Sequence, residues 1–305
     1  MPVTHAAPLR RAAPPPRRSE SMRGIAYMAL GMFLFSAVDA GAKFLTETLH
    51  PVQIVWVRQL GLLVGVFVVL AVRGLPVLRT EHRRMQMARG ALAACSATLF
   101  ILGIKFVPLA DAVAVAFVAP FLVTLMGALI LREPVGIRRW IAVTIGFIGT
   151  LIVIRPGMGV IHPAVLLVLA SAFLFAIRQI ISRMLAGSDP VPTTVAYTAL
   201  TASALLTLPM PFVWQWPTTG LEWTVMLGIA ILAGCGEFLV IKALEVAQAV
   251  VIAPLQYSML IWGSGYGYLI FNDLPDIWTL VGASIIVATG LYTLNRERML
   301  QKGRD

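Results

Sequence analysis

The sequence predicts an all-α membrane protein with ten transmembrane helices in two inverted five-helix repeats, and three observations carry that prediction. Of 305 residues, 59% are apolar and only 12% are charged, with a mean hydropathy of +0.86, whereas soluble domains hold roughly 25% charged residues. Apolar runs of about 20 residues, the length that crosses a bilayer, recur along the whole chain. The chain also resembles itself at a displacement of about 140 residues.

Taken in order, the expected spans are 24–44, 52–72, 87–106, 109–131, 138–154, 163–183, 192–212, 223–243, 249–271 and 277–294. Turn residues such as Arg155-Pro156-Gly157 and Trp216-Pro217 bound them. The tail before them, 1–22, holds Arg10, Arg11, Arg17, Arg18 and the run Pro14-Pro15-Pro16, a composition that cannot bury a core and reads as disordered. It is not a cleaved signal peptide, because the apolar run that follows is too long and no small-residue cleavage pattern closes it. The expected organisation is a basic tail over 1–22, a first repeat over 23–156, a second over 160–295 and a C-terminal tail over 296–305.

The net charge of +10 comes from 24 Lys and Arg against 14 Asp and Glu. Lys and Arg are retained on the cytoplasmic side of a membrane. With both termini cytoplasmic, the tails and even-numbered loops hold 19 of the 24 cations; Lys43, Lys105 and Arg155 fall on the opposite side, and Arg58 and Arg178 within spans. The positive charge therefore reads as a topology signal, not as a nucleic-acid surface. Cys95 and Cys235 both lie inside apolar runs, which excludes a disulfide scaffold or a cysteine metal site.

The internal repeat aligns Phe33-Leu34-Phe35 with Phe173-Leu174-Phe175, Lys43 with Arg183, Leu45 with Leu185 and Cys95 with Cys235. Ala110 then meets Ala247, and Ala119-Pro120 meets Ala253-Pro254. Five spans per repeat is an odd number, so the second half enters the membrane inverted, an architecture typical of secondary transporters.

The stretch Ala110-Asp111-Ala112-Val113-Ala114-Val115-Ala116-Phe117-Val118-Ala119-Pro120, then Arg132-Glu133-Pro134, Trp140, Gly146-Phe147-Ile148-Gly149 and Arg155-Pro156-Gly157, resembles the drug/metabolite transporter superfamily with EamA-type repeats. The resemblance covers about 22–298, with a degenerate second copy in Ala247-Gln248-Ala249-Val250 through Pro254 and Asn272-Asp273-Leu274-Pro275. It implies a carrier of small metabolites in the bacterial inner membrane, working without ATP or a cofactor. Within the superfamily the chain is similar to riboflavin importers and S-adenosylmethionine importers. The implied partners are a small-molecule substrate and the lipid bilayer, with pairing of two copies allowed and no nucleic acid. Riboflavin uptake is the expected activity; S-adenosylmethionine import and amino-acid or drug export are the alternatives.

The residues point to a site independently of the resemblance. Pro120 and Pro254 occupy corresponding places inside spans, where a proline removes a backbone bond and kinks the helix. Interrupted helices at matching places in both halves are the sequence pointer to a midplane site. Charges within spans cost about 2.5–3.5 kcal/mol each on insertion scales. Counting 1.5 Å per residue places Asp39 and Arg58 both about 7 Å toward the outside of the midplane, and Arg178 and Glu237 about 6–7 Å toward the cytoplasm. Each couple is expected to face the cavity as a latch or to form a buried ion pair. Lys43, one turn past Asp39, is an alternative partner. Around them Gln59, Gln179, Gln256 and Tyr257 offer hydrogen bonds and Trp262 a ring for stacking. A sulfonium cation would want an uncompensated carboxylate, and acids that arginines can match tilt the expectation toward a neutral flavin. Trp214, Trp216, Trp223 and Tyr268 read instead as an interfacial belt.

Other classes fit poorly. The four histidines, His5, His50, His82 and His162, lie in the tail or loops, so no His-based hydrolase or metal site forms at depth. There is no GxxxxGK[ST] loop for ATP, and no filter-like repeat or charge ring for a channel.

Overall fold

The computed structural model describes residues 18–132, 136–155, 162–185, 188–247 and 249–302. Among these there are helices and turns and no strand. The first half comprises α1 (Arg18–Leu45), α2 (Pro51–Arg73), α3 (Arg83–Ile104), α4 (Leu109–Ala116), α5 (Ala119–Leu129) and α6 (Ile137–Ile154). The second comprises α7 (Val165–Met184), α8 (Val191–Thr207), α9 (Met210–Val213), α10 (Gly220–Val246), α11 (Ala249–Ile252), α12 (Ser258–Phe271) and α13 (Ile277–Lys302). Six segments are long and apolar enough to cross a membrane: Met22–Leu45, Pro51–Arg73, Arg83–Ile104, Leu109–Leu129, Val165–Met184 and Gly220–Val246. Shorter apolar stretches, Trp140–Ile154 and Ile277–Thr293, lie in α6 and α13. The protein is a multi-pass membrane protein.

Helix ends depart from the sequence expectation where side chains continue or break the backbone ladder. Residues 18–22, assigned to the tail, are helical, and α13 runs on through 296–302; the Glu133-Pro134 and Pro156-Gly157 motifs and residues 1–17 lie outside the described residues. The fourth expected span is two helices, because the α-helix stops at Ala116 and restarts at Ala119 with Pro120 in the first turn of α5, where a missing N–H costs nothing. The ninth is interrupted too: α11 gives way to a 3₁₀ turn, Ala253–Tyr257, that begins around Pro254. The seventh is cut at Leu208, because Pro209 and Pro211 follow.

Among the described residues, α1, α2, α3, α4 with α5, α7, α8, α10 and α12 close a ring. Its order follows from which helices touch: α1 packs on α10, α10 on α2, α2 on α8, α8 on α3, α3 on α7, α7 on α4 and α5, α4 on α12, and α12 on α1. Helices α6 and α13 pack on each other and against α4 from outside the ring. Exchanging the halves turns α1–α10 into α7–α3 and α10–α2 into α3–α8, and leaves α2–α8, α4–α12 and α6–α13 unchanged. The packing thus carries the same duplication as the sequence.

In a bilayer, helices associate by close van der Waals contact, so small residues mark the tightest crossings. A Cβ on Gly282 of α13 would stand 2.5 Å from the Gly149 carbonyl oxygen and from Val153 Cγ2. One on Gly61 of α2 would collide with the Ala230 carbonyl of α10. The largest buried cluster lies at the end of the ring where α1 stops, with Val38, Leu45, Ile54, Ile101, Leu109, Val113, Val168 and Ile229 in it.

Candidate functional site

Asp39 of α1 is buried, and its Oδ1 lies 3.5 Å from Arg58 Nη1 of α2. The Arg58 guanidinium also rests over Phe35, 5.9 Å from the ring centre. Lys43 does not turn back to Asp39. Its Nζ donates to the Val107 carbonyl at 3.0 Å and to Asp273 Oδ2 at 3.4 Å, and stands 5.0 Å from the Phe271 ring centre.

The second expected couple is corrected by the structure: among the described residues neither Arg178 nor Glu237 makes an ion pair. Their helices, α7 and α10, are not neighbours in the ring, so equal depth does not bring the two side chains together. Arg178 instead lies over Phe175, 4.6 Å from the ring centre. Phe35 and Phe175 are repeat-equivalent, and each supports an arginine. The Arg178 Nε is buried with no hydrogen-bond partner. Glu237, partly buried, follows Gly236, whose Cα faces the Phe35 ring.

These charged groups lie within electrostatic range of one another. Arg178 feels the charges of Glu237 and Arg58, and Arg89 feels those of Arg178 and Glu237. Sequence reasoning counts Arg89 with the loop cations and so misses it. It lies almost two turns inside α3, donating from Nε to Ser182 Oγ at 2.6 Å, and from Nη1 to the Thr194 carbonyl at 3.3 Å and to Thr198 Oγ1. The expected span 87–106 already contains it, and that placement within a span is the available signal.

Of the remaining expected residues, Gln59 is buried and Gln179 partly buried, and among the described residues neither side chain has a hydrogen bond. Gln256 is exposed. Tyr257 stacks on Phe117 with ring centres 5.0 Å apart, and its hydroxyl abuts Gly290 of α13. Trp262 meets Phe33 edge-on at 5.1 Å and is 38% exposed. The two rings expected to stack on a ligand are therefore engaged with protein rings. Among the described residues no group of three His, Cys, Asp or Glu could hold a metal ion.

The two ends of the ring are closed differently. At the end where α1 and α6 stop, Lys43 ties to Val107 and Asp273, Arg155 pairs with Asp276, and Thr279 Oγ1 donates to buried Asp111 at 2.8 Å. Partial burial works against the Asp276 charge, but hydrogen bonds from Thr279 and Arg155 hold its carboxyl below the usual range. At the opposite end Asp189 accepts from Thr80 Oγ1 and Gln86 Nε2, both at 2.7 Å. Here too burial opposes the charge, and those bonds with nearby His82 prevail, so the Asp189 carboxyl is held low.

The tryptophans form a chain, with Trp56 to Trp214, Trp214 to Trp216 and Trp216 to Trp223 centred 6.0, 5.6 and 6.5 Å apart. Beside it a cavity of about 660 Å³ opens between α2 and α10, lined by Trp56, Val64, Trp223, Met226 and Ile231 among others. Among the described residues no charged side chain lines it, so it offers nothing to orient a polar solute.

Residues 22–155 and 162–295 each match the sequence profile described as the EamA-like transporter family. The chain is 25% identical over 280 residues to an S-adenosylmethionine uptake transporter of Rickettsia prowazekii, covering 91% of this chain and 94% of that one. It is 29% identical over 222 residues to a riboflavin transporter of Vibrio cholerae, covering 72% and 74%. A pseudopaline exporter of Pseudomonas aeruginosa is 26% identical over 269 residues, covering 87% and 93%. A solved crystal structure superposes with a TM-score of 0.61 at 18% identity, over 93% of this chain and 99% of that one, a likeness of fold alone.

Proposed function

Because the chain belongs to the EamA-like transporter family, we propose that it is a secondary carrier that takes up a small metabolite by alternating access, with the substrate held at the charged centre inside the eight-helix ring. Ten crossings follow if α8 and α12, with α6 and α13, join the six long apolar helices. The cation count then puts both termini in the cytoplasm, in the inner membrane of a bacterium like those of the relatives. The end tied by Lys43, Asp273, Arg155 and Asp276 is the periplasmic one, and this conformation is closed there.

The observation that carries the substrate reading is the unpaired state of Arg178 and Glu237. Matching of intramembrane acids by arginines favours a neutral flavin, and that match holds for Asp39 with Arg58 but not for Glu237. An unpaired carboxylate within electrostatic range of an unpaired guanidinium suits a substrate with charges of both signs. S-adenosylmethionine has them, and relatives named for its uptake align over nine-tenths of the chain. Riboflavin is the second reading, favoured by the aromatic side chains Phe117, Tyr257, Phe33 and Trp262 near the two broken helices and by relatives named for it.

The test is uptake of labelled S-adenosylmethionine and labelled riboflavin into proteoliposomes holding the full chain. A carrier shows saturation and counterflow for one of them; a linear, non-saturating flux would refute carrier action.

A further inference from the structure

We propose that Arg178 and Glu237 are the two poles of a clamp that reads a free α-amino-acid group on the substrate, Arg178 taking the carboxylate and Glu237 the ammonium. The proposal rests on the reading of the chain as a carrier and adds to it which part of the substrate is recognised, and by which residues.

Three arginines reach the centre, and two already have acceptors. Arg58 has the Asp39 carboxylate at 3.5 Å. Arg89 donates to Ser182, Thr194 and Thr198. Arg178 alone of the three has a buried Nε without an acceptor, and the Phe175 ring at 4.6 Å holds its guanidinium plane in place. A guanidinium offers five donors in a planar fork that matches a carboxylate at two points. Beside it in sequence stands Gln179, and beside Arg58 stands Gln59, both without a hydrogen bond among the described residues.

Glu237 supplies the opposite pole. It is close enough to Arg178 and Arg89 to act on both electrostatically, yet among the described residues it neither pairs nor hydrogen-bonds. Opposite charges that share a low-dielectric interior without meeting are costly, and a group with one charge of each sign, set between them, satisfies both. A simple anion would answer Arg178 and leave Glu237 unmatched. An amine without a carboxylate would do the reverse, and a neutral ring system would leave both. The amino-acid end supplies a carboxylate and an ammonium on one carbon, in a fixed short separation.

The contrast with the other half supports a ligand role over a packing role. In the first half the repeat-equivalent Phe35 supports an arginine that is neutralised within the protein. In the second, Phe175 supports one that is not. The two arginines do not correspond in the repeat, Arg58 falling on Thr198 and Arg178 on Val38, so the second half has gained a guanidinium without gaining an acid that meets it.

The test uses the full chain in proteoliposomes, with labelled S-adenosylmethionine as the probe and competition by its methyl ester, its desamino analogue and S-adenosylhomocysteine. In the unaltered chain S-adenosylhomocysteine, which keeps the amino-acid end and lacks the sulfonium, should compete within about threefold of the parent. The ester and the desamino compound should be at least tenfold weaker. Arg178→Lys, which keeps charge but loses the fork, should raise KM about tenfold with kcat nearly unchanged. Glu237→Gln should abolish the preference for the amine and leave the preference for the carboxylate. That split by pole would not arise from misfolding, and size-exclusion profiles of each variant control for it. If the unaltered chain shows no saturable flux of this probe or of riboflavin, the carrier reading falls and the clamp with it. If it carries S-adenosylmethionine while the ester and desamino compound compete as well as the parent, or if it carries only riboflavin, the clamp alone is overturned.

Discussion

Replacing Lys43 with Met should open the end of the ring that the proposed topology makes periplasmic, by an amount set by the three interactions of the ammonium group. The side chain is 13% exposed and its partner Asp273 40% exposed, so the ion pair itself is screened and worth about 0.2–1 kcal/mol. The bond from Nζ to the Val107 carbonyl, 3.0 Å long, involves a charged donor and adds about 1.5–3 kcal/mol, part of which water restores once the end opens. The ring of Phe271 adds about 0.5–1 kcal/mol. Met keeps the apolar stem and makes none of the three, so the closed state should weaken by roughly 1.5–3 kcal/mol, a shift of about 10- to 100-fold in the open population. Asp273→Asn removes only the screened pair and should shift it by about fivefold or less.

The readout is a cysteine at Ser36, buried in α1 one turn before Asp39, in a background with Cys95 and Cys235 changed to Ser. A membrane-impermeant thiol reagent applied from outside should label it faster in Lys43→Met than in Asp273→Asn, and faster in either than in the parent. Unchanged labelling in Lys43→Met would refute the closed periplasmic end, and an equal effect of the two variants would refute the ranking of the three interactions.

Asp39→Leu strands Arg58 in the membrane interior and should lower stability by about 3–5 kcal/mol, whereas Asp39→Leu with Arg58→Met should recover most of it; thermal unfolding in detergent measures both, and additive losses would count against a pair. Gly282→Val crowds Gly149 and Val153 and should cost at least about 1–3 kcal/mol, seen as a lowered Tm, while Gly65→Val, with open space around it, should change little; equal losses at the two sites would contradict the close α6–α13 crossing. Asp189 has a lowered carboxyl value in the folded chain, so its contribution is present above the unfolded value of about 3.9 and fades as pH falls through the folded one; amide protection in the 74–82 loop, taken relative to the intrinsic exchange rate at each pH, should fall in that acid range and stay constant in Asp189→Asn, and a parent loop whose protection does not change with acid would remove Asp189 as the tether.

Hydropathy and the repeat make much of the architecture legible, because both are one-dimensional signals: span length and displacement along the chain. Depth is one-dimensional too, which is how the sequence alone matches Asp39 with Arg58, a couple that stands 3.5 Å apart in the fold. The azimuth of a side chain around the ring is not written in that coordinate. Arg178 and Glu237 share a depth and still do not meet, since their helices are separated by α3, α8 and α2 on one side of the ring. Arg89 falls just inside the expected span 87–106 and is hidden because a cation near the end of a span is counted with the loop as a topology signal. The network of Lys43, Asp273, Arg155 and Asp276 joins segments more than a hundred residues apart, and no local pattern announces such pairings.

The duplication explains why the centre is built as it is and where it stops being symmetric. In the register that aligns Phe33 with Phe173 and Lys43 with Arg183, Asp39 falls on Gln179. The aromatic residues Phe35 and Phe175 stay alike, but the arginines they meet do not correspond, since Arg58 falls on Thr198 and Arg178 on Val38. Asp39, the carboxylate that meets Arg58, is replaced by the neutral amide of Gln179 in the other half. A carrier that exposes one site alternately to two sides needs a scaffold that can be exchanged end for end, and an inverted repeat supplies it. Its ligand has no such symmetry, so the side chains that meet the ligand must break the repeat. The charged positions where the halves differ, Asp39 against Gln179 and the unpaired Arg178 and Glu237, are therefore where recognition is to be sought.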